Sequence, residues 1–264
     1  NSKASHQPIQ DIATYPEEIA AIVKRGKMVF AMTKADQKPF FYVDEASGKL
    51  IGLDVELALT IANKFGIKAE FNRDAASFDD VVKNVANGKA DLAISKLSRT
   101  LKRAQLVLYT QPYITFRQAL LVNRLQLAKL VPESELSSFV RSFRGKLGLI
   151  ANSSYVGYAQ ANFSSAEITQ FPSWDNAVDA LFSGEVLAVY RDELEILKIL
   201  ATRKDAALLA KAVFLTDLRD PIAIAVSKDA PVLKAWLDIF LDEYIALHAD
   251  ELSAQSLVDR YFKK

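Results

Sequence analysis

Apolar residues recur along the chain in two alternating rhythms, and the switches between them set out the elements. Ile19, Ile22 and Val23 fall at helical spacing behind Pro16-Glu17-Glu18. A short helix therefore starts at the proline, carries acids in its first turn and stops at Gly26. Residues 28–32 form a short apolar run that reads as a strand. Val55, Leu57, Ala58, Ile61, Ala62 and Phe65 then give a helix, with Asp54 as its cap and Gly66 as its stop. Residues 68–72 read as the next strand.

The cycle repeats. Residues 78–86 are a helix closed by Asn87-Gly88, and 90–94 are a buried strand. Further along come a strand at 146–150, helices at 155–162 and 174–182 stopped by Ser183-Gly184, and a strand at 186–190. A last strand at 222–226 and a helix at 232–246 close the series. Strands alternating with helices predict an α/β architecture with largely parallel sheets. The stretches Asn87-Gly88-Lys89-Ala90-Asp91-Leu92 and Ser183-Gly184-Glu185-Val186-Leu187-Ala188 occupy equivalent places, so two halves of related build are expected. Ligands of such sheets bind beyond the carboxyl ends of the strands. The loops there are where function is to be sought.

Composition narrows the chemistry. Of 264 residues, half are hydrophobic and a quarter charged, with 33 basic against 32 acidic, a balance that argues against nucleic acid as a partner. There is no cysteine, which removes disulfides, thiolate nucleophiles and zinc–cysteine sites. The two histidines, His6 and His248, lie near opposite ends and form no metal or triad motif, so no catalytic residue, metal or cofactor is expected. No apolar run reaches the roughly 18 residues of a membrane span. The polar stretch 1–14, beginning at Asn1, reads either as what is left after a signal peptide or tether is removed or as a tag remnant on a cytosolic protein.

One loop combines the right groups to hold an anion. Ser95-Lys96-Leu97-Ser98-Arg99-Thr100-Leu101-Lys102-Arg103 follows a buried strand directly and offers hydroxyls, backbone amides and guanidinium groups. A guanidinium grips a carboxylate with two parallel hydrogen bonds, which a lysine cannot do. An arginine in such a place is also compatible with a plain surface role.

Landmarks in order carry the picture further: Lys38-Pro39-Phe40-Phe41; Gly48-Lys49-Leu50-Ile51-Gly52-Leu53-Asp54-Val55-Glu56; Gly88-Lys89-Ala90-Asp91-Leu92; Ser98-x-Thr100-x-x-Arg103; and Gln111-Pro112-Tyr113. With these, the chain resembles the bacterial extracellular solute-binding proteins of family 3. It is similar also to the ligand-binding domains of ionotropic glutamate receptors. The resemblance runs from about Ile19 to Phe262. It implies the two-lobed type II periplasmic binding protein fold, lobe 1 from residues 1–117 with 220–264 and lobe 2 from 118–219. Two hinge strands, near 119–122 and 222–226, would join them. It also implies a monomer in the periplasm, or tethered outside the membrane, that closes around an amino acid and delivers it to an ABC transporter permease.

Carried over by position, Arg103 matches the arginine that pairs with the ligand's carboxylate, and Ser98 the hydroxyl residue beside it. Ser95 lies at the strand end where the family also touches ligand. Asn152-Ser153-Ser154 matches a hydroxyl turn in the second lobe, so Ser153 and Ser154 either complete the carboxylate cradle or merely cap a helix. Asp192 matches the acid that takes the ligand's ammonium, or else caps a helix starting near Glu193. Phe78 stands where an aromatic ring stacks on ligand, or it is core. Two further candidates depart from the family pattern: Gln37 replaces an aromatic ring, and Lys96 a small residue. Lys34, Lys96, Arg117 and Arg191 would disfavour a cationic side chain, so a polar or acidic amino acid is expected. Two rivals remain open: a sensing domain of a larger membrane receptor, and a cyclohexadienyl dehydratase-like enzyme. Such enzymes place a glutamate after the hydroxyl turn, where this chain has Tyr155-Val156-Gly157 and so lacks the proton donor that loss of water needs.

Overall fold

A computed structural model describes residues 12–263, and His6 lies outside the described residues. The first half of the chain gives α1 (Glu17–Arg25), β1 (Lys27–Thr33), β2 (Tyr42–Val43), β3 (Leu50–Ile51), α2 (Leu53–Lys64), β4 (Lys68–Ala75), α3 (Phe78–Ala86), β5 (Leu92–Ala93) and β6 (Leu108–Asn123). Then follow α4 (Arg124–Leu130), α5 (Leu136–Arg141), β7 (Lys146–Ile150), α6 (Ser154–Asn162), β8 (Glu167–Phe171), α7 (Trp174–Ser183), β9 (Ala188–Asp192) and α8 (Glu193–Thr202). The chain ends with α9 (Ala206–Leu209), β10 (Ala210–Val226), α10 (Pro231–His248) and α11 (Ala254–Tyr261).

These elements group into two compact units. Unit 1 holds the described residues as far as Ile114 together with Pro221–Ala249. Unit 2 holds Thr115–Asp220 and the described residues from Asp250 onward. The boundaries fall inside the long strands β6 and β10, at Ile114/Thr115 and Asp220/Pro221. The segments 119–122 and 222–226, expected to be hinges, lie within unit 2 and unit 1 respectively. The tail also differs from expectation, because α11 groups with unit 2. Its Ala254, Leu257 and Val258 are buried as it packs on α8, which gives it an apolar partner there.

Both units are built to one plan. In unit 1, β1 runs parallel to β4 on one side and β5 on the other, and the end of β10 adds antiparallel to β5, with Ala225 opposite Ala93. In unit 2, β7 runs parallel to β8 and β9, and the end of β6 adds antiparallel to β9, with Leu120 opposite Tyr190. Each parallel sheet is made by strand–helix–strand–helix–strand, β1-α2-β4-α3-β5 in one and β7-α6-β8-α7-β9 in the other.

The two-residue period of a strand distributes its side chains to both faces. In β6, Leu120 and Val122 join Leu147, Leu149, Tyr155 and Phe163 on one side, while Ala119 and Leu121 join Ala177, Leu181 and Val189 on the other. A sheet covered on both faces must be apolar throughout, which is why its strands read as continuous runs.

Local signals explain most boundaries. Gly26 sits at φ 77° and accepts the left-handed turn that ends α1. The start of α2 differs from expectation, since Gly52 holds the cap position and Asp54 lies inside the first turn. Gly52 has φ 130°, and a Cβ there would come within 2.7 Å of the Pro39 carbonyl oxygen. Only glycine fits.

Candidate ligand-binding site

In unit 1 the loop after β5 carries Ser95, Lys96, Ser98 and Arg103. All four are buried, although all are polar or charged. Burial of such groups is tolerated where each finds partners. Ser95 Oγ accepts the Thr33 amide at 3.2 Å, which ties the loop to the end of β1. The Lys96 amide donates to Asp54 Oδ2 at 2.7 Å, and its Nζ lies 5.5 Å from the Phe40 ring centroid. Leu97 O accepts the Ala223 amide at 3.1 Å, and the Arg99 amide donates to Pro221 O at 2.8 Å.

Arg103 is 5 % exposed and opens a short 3-10 turn at Arg103–Gln105. Its amide donates to Thr100 Oγ1 at 3.2 Å. Nη1 donates to Ser98 O at 3.0 Å, while Nε and Nη2 donate to Asp79 Oδ1 at 3.3 and 3.0 Å. Three hydrogen bonds thus orient a group that has five N–H donors. Against the guanidinium lies the Tyr109 hydroxyl, which donates to Ser98 O at 3.3 Å and is pushed up to about 12 chiefly by burial.

Asp79 belongs to the first turn of α3, whose cap is Ser77, with Oγ accepting the Asp80 amide at 3.1 Å. Phe78 starts that helix and is buried. Gln37 lies in a tight turn with Phe41, donating its amide to Phe41 O at 2.8 Å. Lys34 is exposed.

Unit 2 carries the other candidates at the carboxyl ends of the neighbouring parallel strands β7 and β9. After β7, Asn152 takes φ 53°, a conformation asparagine tolerates better than most residues. Ser153 then occupies the cap position of α6 but donates its hydroxyl back to Ile150 O at 2.7 Å, making no side-chain cap bond. Ser154 is the first residue of that helix. Asp192, 1 % exposed, ends β9 and caps α8, its Oδ1 accepting the Glu195 amide at 3.2 Å. The helix-cap alternative for Asp192 is therefore realised; for Ser153 only the position is.

Around Asp192 lies a buried polar cluster. Tyr155 donates to Asp220 Oδ2 at 2.8 Å. Burial first, then the charges of Asp220 and Asp192, hold its hydroxyl well above the usual range. Tyr190 bonds Gln118 and meets Tyr155 edge-on at 4.9 Å between centroids. Of the other cations counted toward ligand charge, Arg117 donates its amide and Nε to the two Glu193 oxygens at 2.9 and 2.7 Å. Arg191 lies 5.3 Å from the Trp174 ring centroid. Both are engaged by the protein itself.

Two acids escaped the sequence reading. Asp79 is not singled out there, and Asp54 appears only as a helix cap and as part of the Gly48–Glu56 landmark. Among the described residues, no group of three or more His, Cys, Asp or Glu side chains is placed to hold a metal.

The family model of the bacterial extracellular solute-binding proteins, family 3, matches residues 29–264. The chain belongs to this family. Among the relatives of this family 3 protein is the histidine-binding periplasmic protein of Salmonella typhimurium, 24 % identical over 157 residues. That match covers 58 % of this chain and 56 % of the relative, so the chain spans little more than half that protein's length. The ABC transporter glutamine-binding protein of Bacillus subtilis is 25 % identical over 236 residues, covering 88 % of this chain and 79 % of the relative. Among solved structures, an amino-acid ABC transporter substrate-binding protein of Streptococcus pneumoniae bound to L-arginine superposes with a TM-score of 0.73 at 27 % identity. It covers 92 % of the family 3 chain and 99 % of its own.

Proposed function

We propose that this family 3 protein captures a free amino acid outside the cytoplasm and presents it to the membrane permease of an ABC transporter, without chemistry on the ligand. The observation that carries the reading is Arg103. A buried guanidinium oriented by Asp79 and by the Ser98 carbonyl is arranged to present its outer edge to a two-oxygen acceptor. Ser95 and Ser98 flank it on the same loop.

Unit 2 contributes in kind. The first turn of α6 has no side-chain cap from Ser153, so its amides suit a carboxylate. The Asp192 carboxylate suits an ammonium. A carboxylate and an ammonium are the two charged ends of an α-amino acid, and β6 and β10 are the strands in which the chain passes from one unit to the other.

The names of the relatives, binding proteins for histidine and glutamine, support an amino acid and a non-catalytic role. The four cations lend the preference for a polar or acidic side chain no support, because Arg117, Arg191 and Lys96 have partners in the protein and Lys34 is exposed.

A thermal-shift panel of the twenty amino acids tests the proposal. At a hundredfold excess over Kd, a ligand adds about 2.7 kcal/mol, roughly 5–10 °C in Tm for a chain of this size. A small set of responders is expected, with the response lost in Arg103→Ala and reduced in Asp192→Ala. A panel with no responder sinks the reading.

A further inference from the structure

Asp54 is a charged side chain that the carboxylate-binding scheme leaves unused. It is completely buried in the first turn of α2. Its Oδ2 accepts the Lys96 amide at 2.7 Å, and its Oδ1 accepts the Tyr113 hydroxyl at 2.7 Å. Lys96 is in turn one of three non-glycine residues with positive φ among the described residues, at 47°. A residue bearing a Cβ enters that region only when surrounding contacts impose it. The contact here is the charge-assisted bond from Asp54.

That local twist has a direct consequence. Ser95, immediately before Lys96, is anchored to Thr33, and the chain after Lys96 runs through Ser98 to Arg103, whose Nη1 returns to Ser98 O. The angle taken at Lys96 therefore sets where Ser98 and the guanidinium stand relative to Ser95.

We infer that Asp54 is the positioning residue of the unit 1 site: its carboxylate holds the Lys96 amide, and with it the loop from Ser95 to Arg103, in the shape that receives a ligand. The effect on affinity rests on the amino-acid reading above. The hold on the loop rests on geometry alone.

Three titratable groups bear on this pair. Lys96 faces Asp54 from the loop, Tyr113 faces it from β6, and Tyr244 on α10 adds to the field at Tyr113. Burial outweighs the Tyr113 and Lys96 contacts and pushes Asp54 from 3.8 up to about 7. Above that pH the loop is held by a carboxylate. Below it the group is neutral: Oδ2 still accepts the Lys96 amide, but as a carbonyl, while the protonated Oδ1 donates to Tyr113. The bond survives in weakened form.

Amide NMR between pH 5.5 and 8.5, with no ligand present, tests the hold. In the wild type the Lys96 amide and its neighbours should titrate together with a midpoint near 7. In Asp54→Asn, shown to be folded by its dispersed spectrum, they should stay flat. Tyr113→Phe removes a bond that lowers the acid's pKa, so it should move the midpoint upward and keep the titration. If at pH 8 the Lys96 amide keeps the same chemical shift and exchange protection in Asp54→Asn as in the wild type, the inference is overturned.

Affinity supplies the second arm, with L-glutamine and L-glutamate as probes at pH 8 and 5.5. Asp54→Asn should bind about tenfold more weakly than wild type at pH 8 and lose the pH dependence of Kd. Equal affinity at pH 8 overturns the inference. If neither probe nor any other amino acid binds, the functional reading fails, and the NMR comparison still decides whether Asp54 sets the loop.

Discussion

Arg103 gains its orientation from Asp79, and that pairing was only half visible in the sequence. The motif Ser98-x-Thr100-x-x-Arg103 marks the arginine, whereas Asp79 lies 24 residues earlier on another element and meets it only in three dimensions. Removing the acid frees the guanidinium to turn. Asp79→Ala should weaken amino-acid binding by about fivefold, the order expected for a partly exposed charged hydrogen bond, with Asp79→Asn between it and wild type; titration calorimetry measures both. Arg103→Ala, which removes the carboxylate partner itself, should cost a hundredfold or more.

Asp54 gives a stability prediction with a definite sign. Its folded-state value is raised, so the fold favours the neutral acid. That advantage is fully present below about 4 and is lost as pH rises through about 7. A rise of about three units corresponds to about 4 kcal/mol at most. Urea denaturation at pH 8 should therefore find Asp54→Asn more stable than wild type, with the gap closing toward pH 5, even though the variant binds less well. A residue that costs the fold stability at working pH points to a duty outside folding. Gly52→Ala moves the other way. Its Cβ meets the Pro39 and Phe40 backbone, and destabilisation of about 3 kcal/mol is expected by the same measurement.

At the scale of elements, the periodic segments were legible and the polar-interrupted ones were not. Residues 78–86 and 146–150 read in the sequence as they stand in the fold, because each pairs a clear period with a stop signal or an apolar run. β8 escaped, since Glu-Ile-Thr-Gln-Phe alternates over five residues without an apolar run and with none of its residues fully buried. β10 was seen only at its end. Its middle, Asp217-Leu218-Arg219-Asp220-Pro221, carries turn residues, yet it continues as strand where the chain passes from one unit to the other. Helix α11 is too short and too close behind α10 for its allegiance to show. Deleting residues 250–263 should strip Leu257 and Val258 from their packing on α8 and cost unit 2 about 3–6 kcal/mol. Chemical denaturation followed by tryptophan fluorescence at Trp174, in unit 2, reads that loss, while Trp236, in unit 1, reports little change.

For the whole molecule, the twofold plan was visible as two matching helix–stop–strand passages, and the structure extends the match to strand order and direction in both sheets. Where the units begin and end was less legible, because chain segments cross between them inside continuous strands. Unit 1 without its late segment lacks Ile222–Val226 and the buried face of α10, namely Leu233, Leu237, Phe240 and Leu241. A fragment of residues 12–114 should therefore show no cooperative melt by circular dichroism, whereas the whole chain does.

The interleaving also sets a timetable for synthesis. Ribosomes add about 5–20 residues per second, and roughly a hundred residues separate Ile114 from its unit's next segment at Pro221. The nascent first half must then wait on the order of 5–20 seconds with Leu92, Ala93 and their neighbours lacking the last strand of their sheet. During that interval it offers an open edge to any chaperone or export factor that engages extended chains.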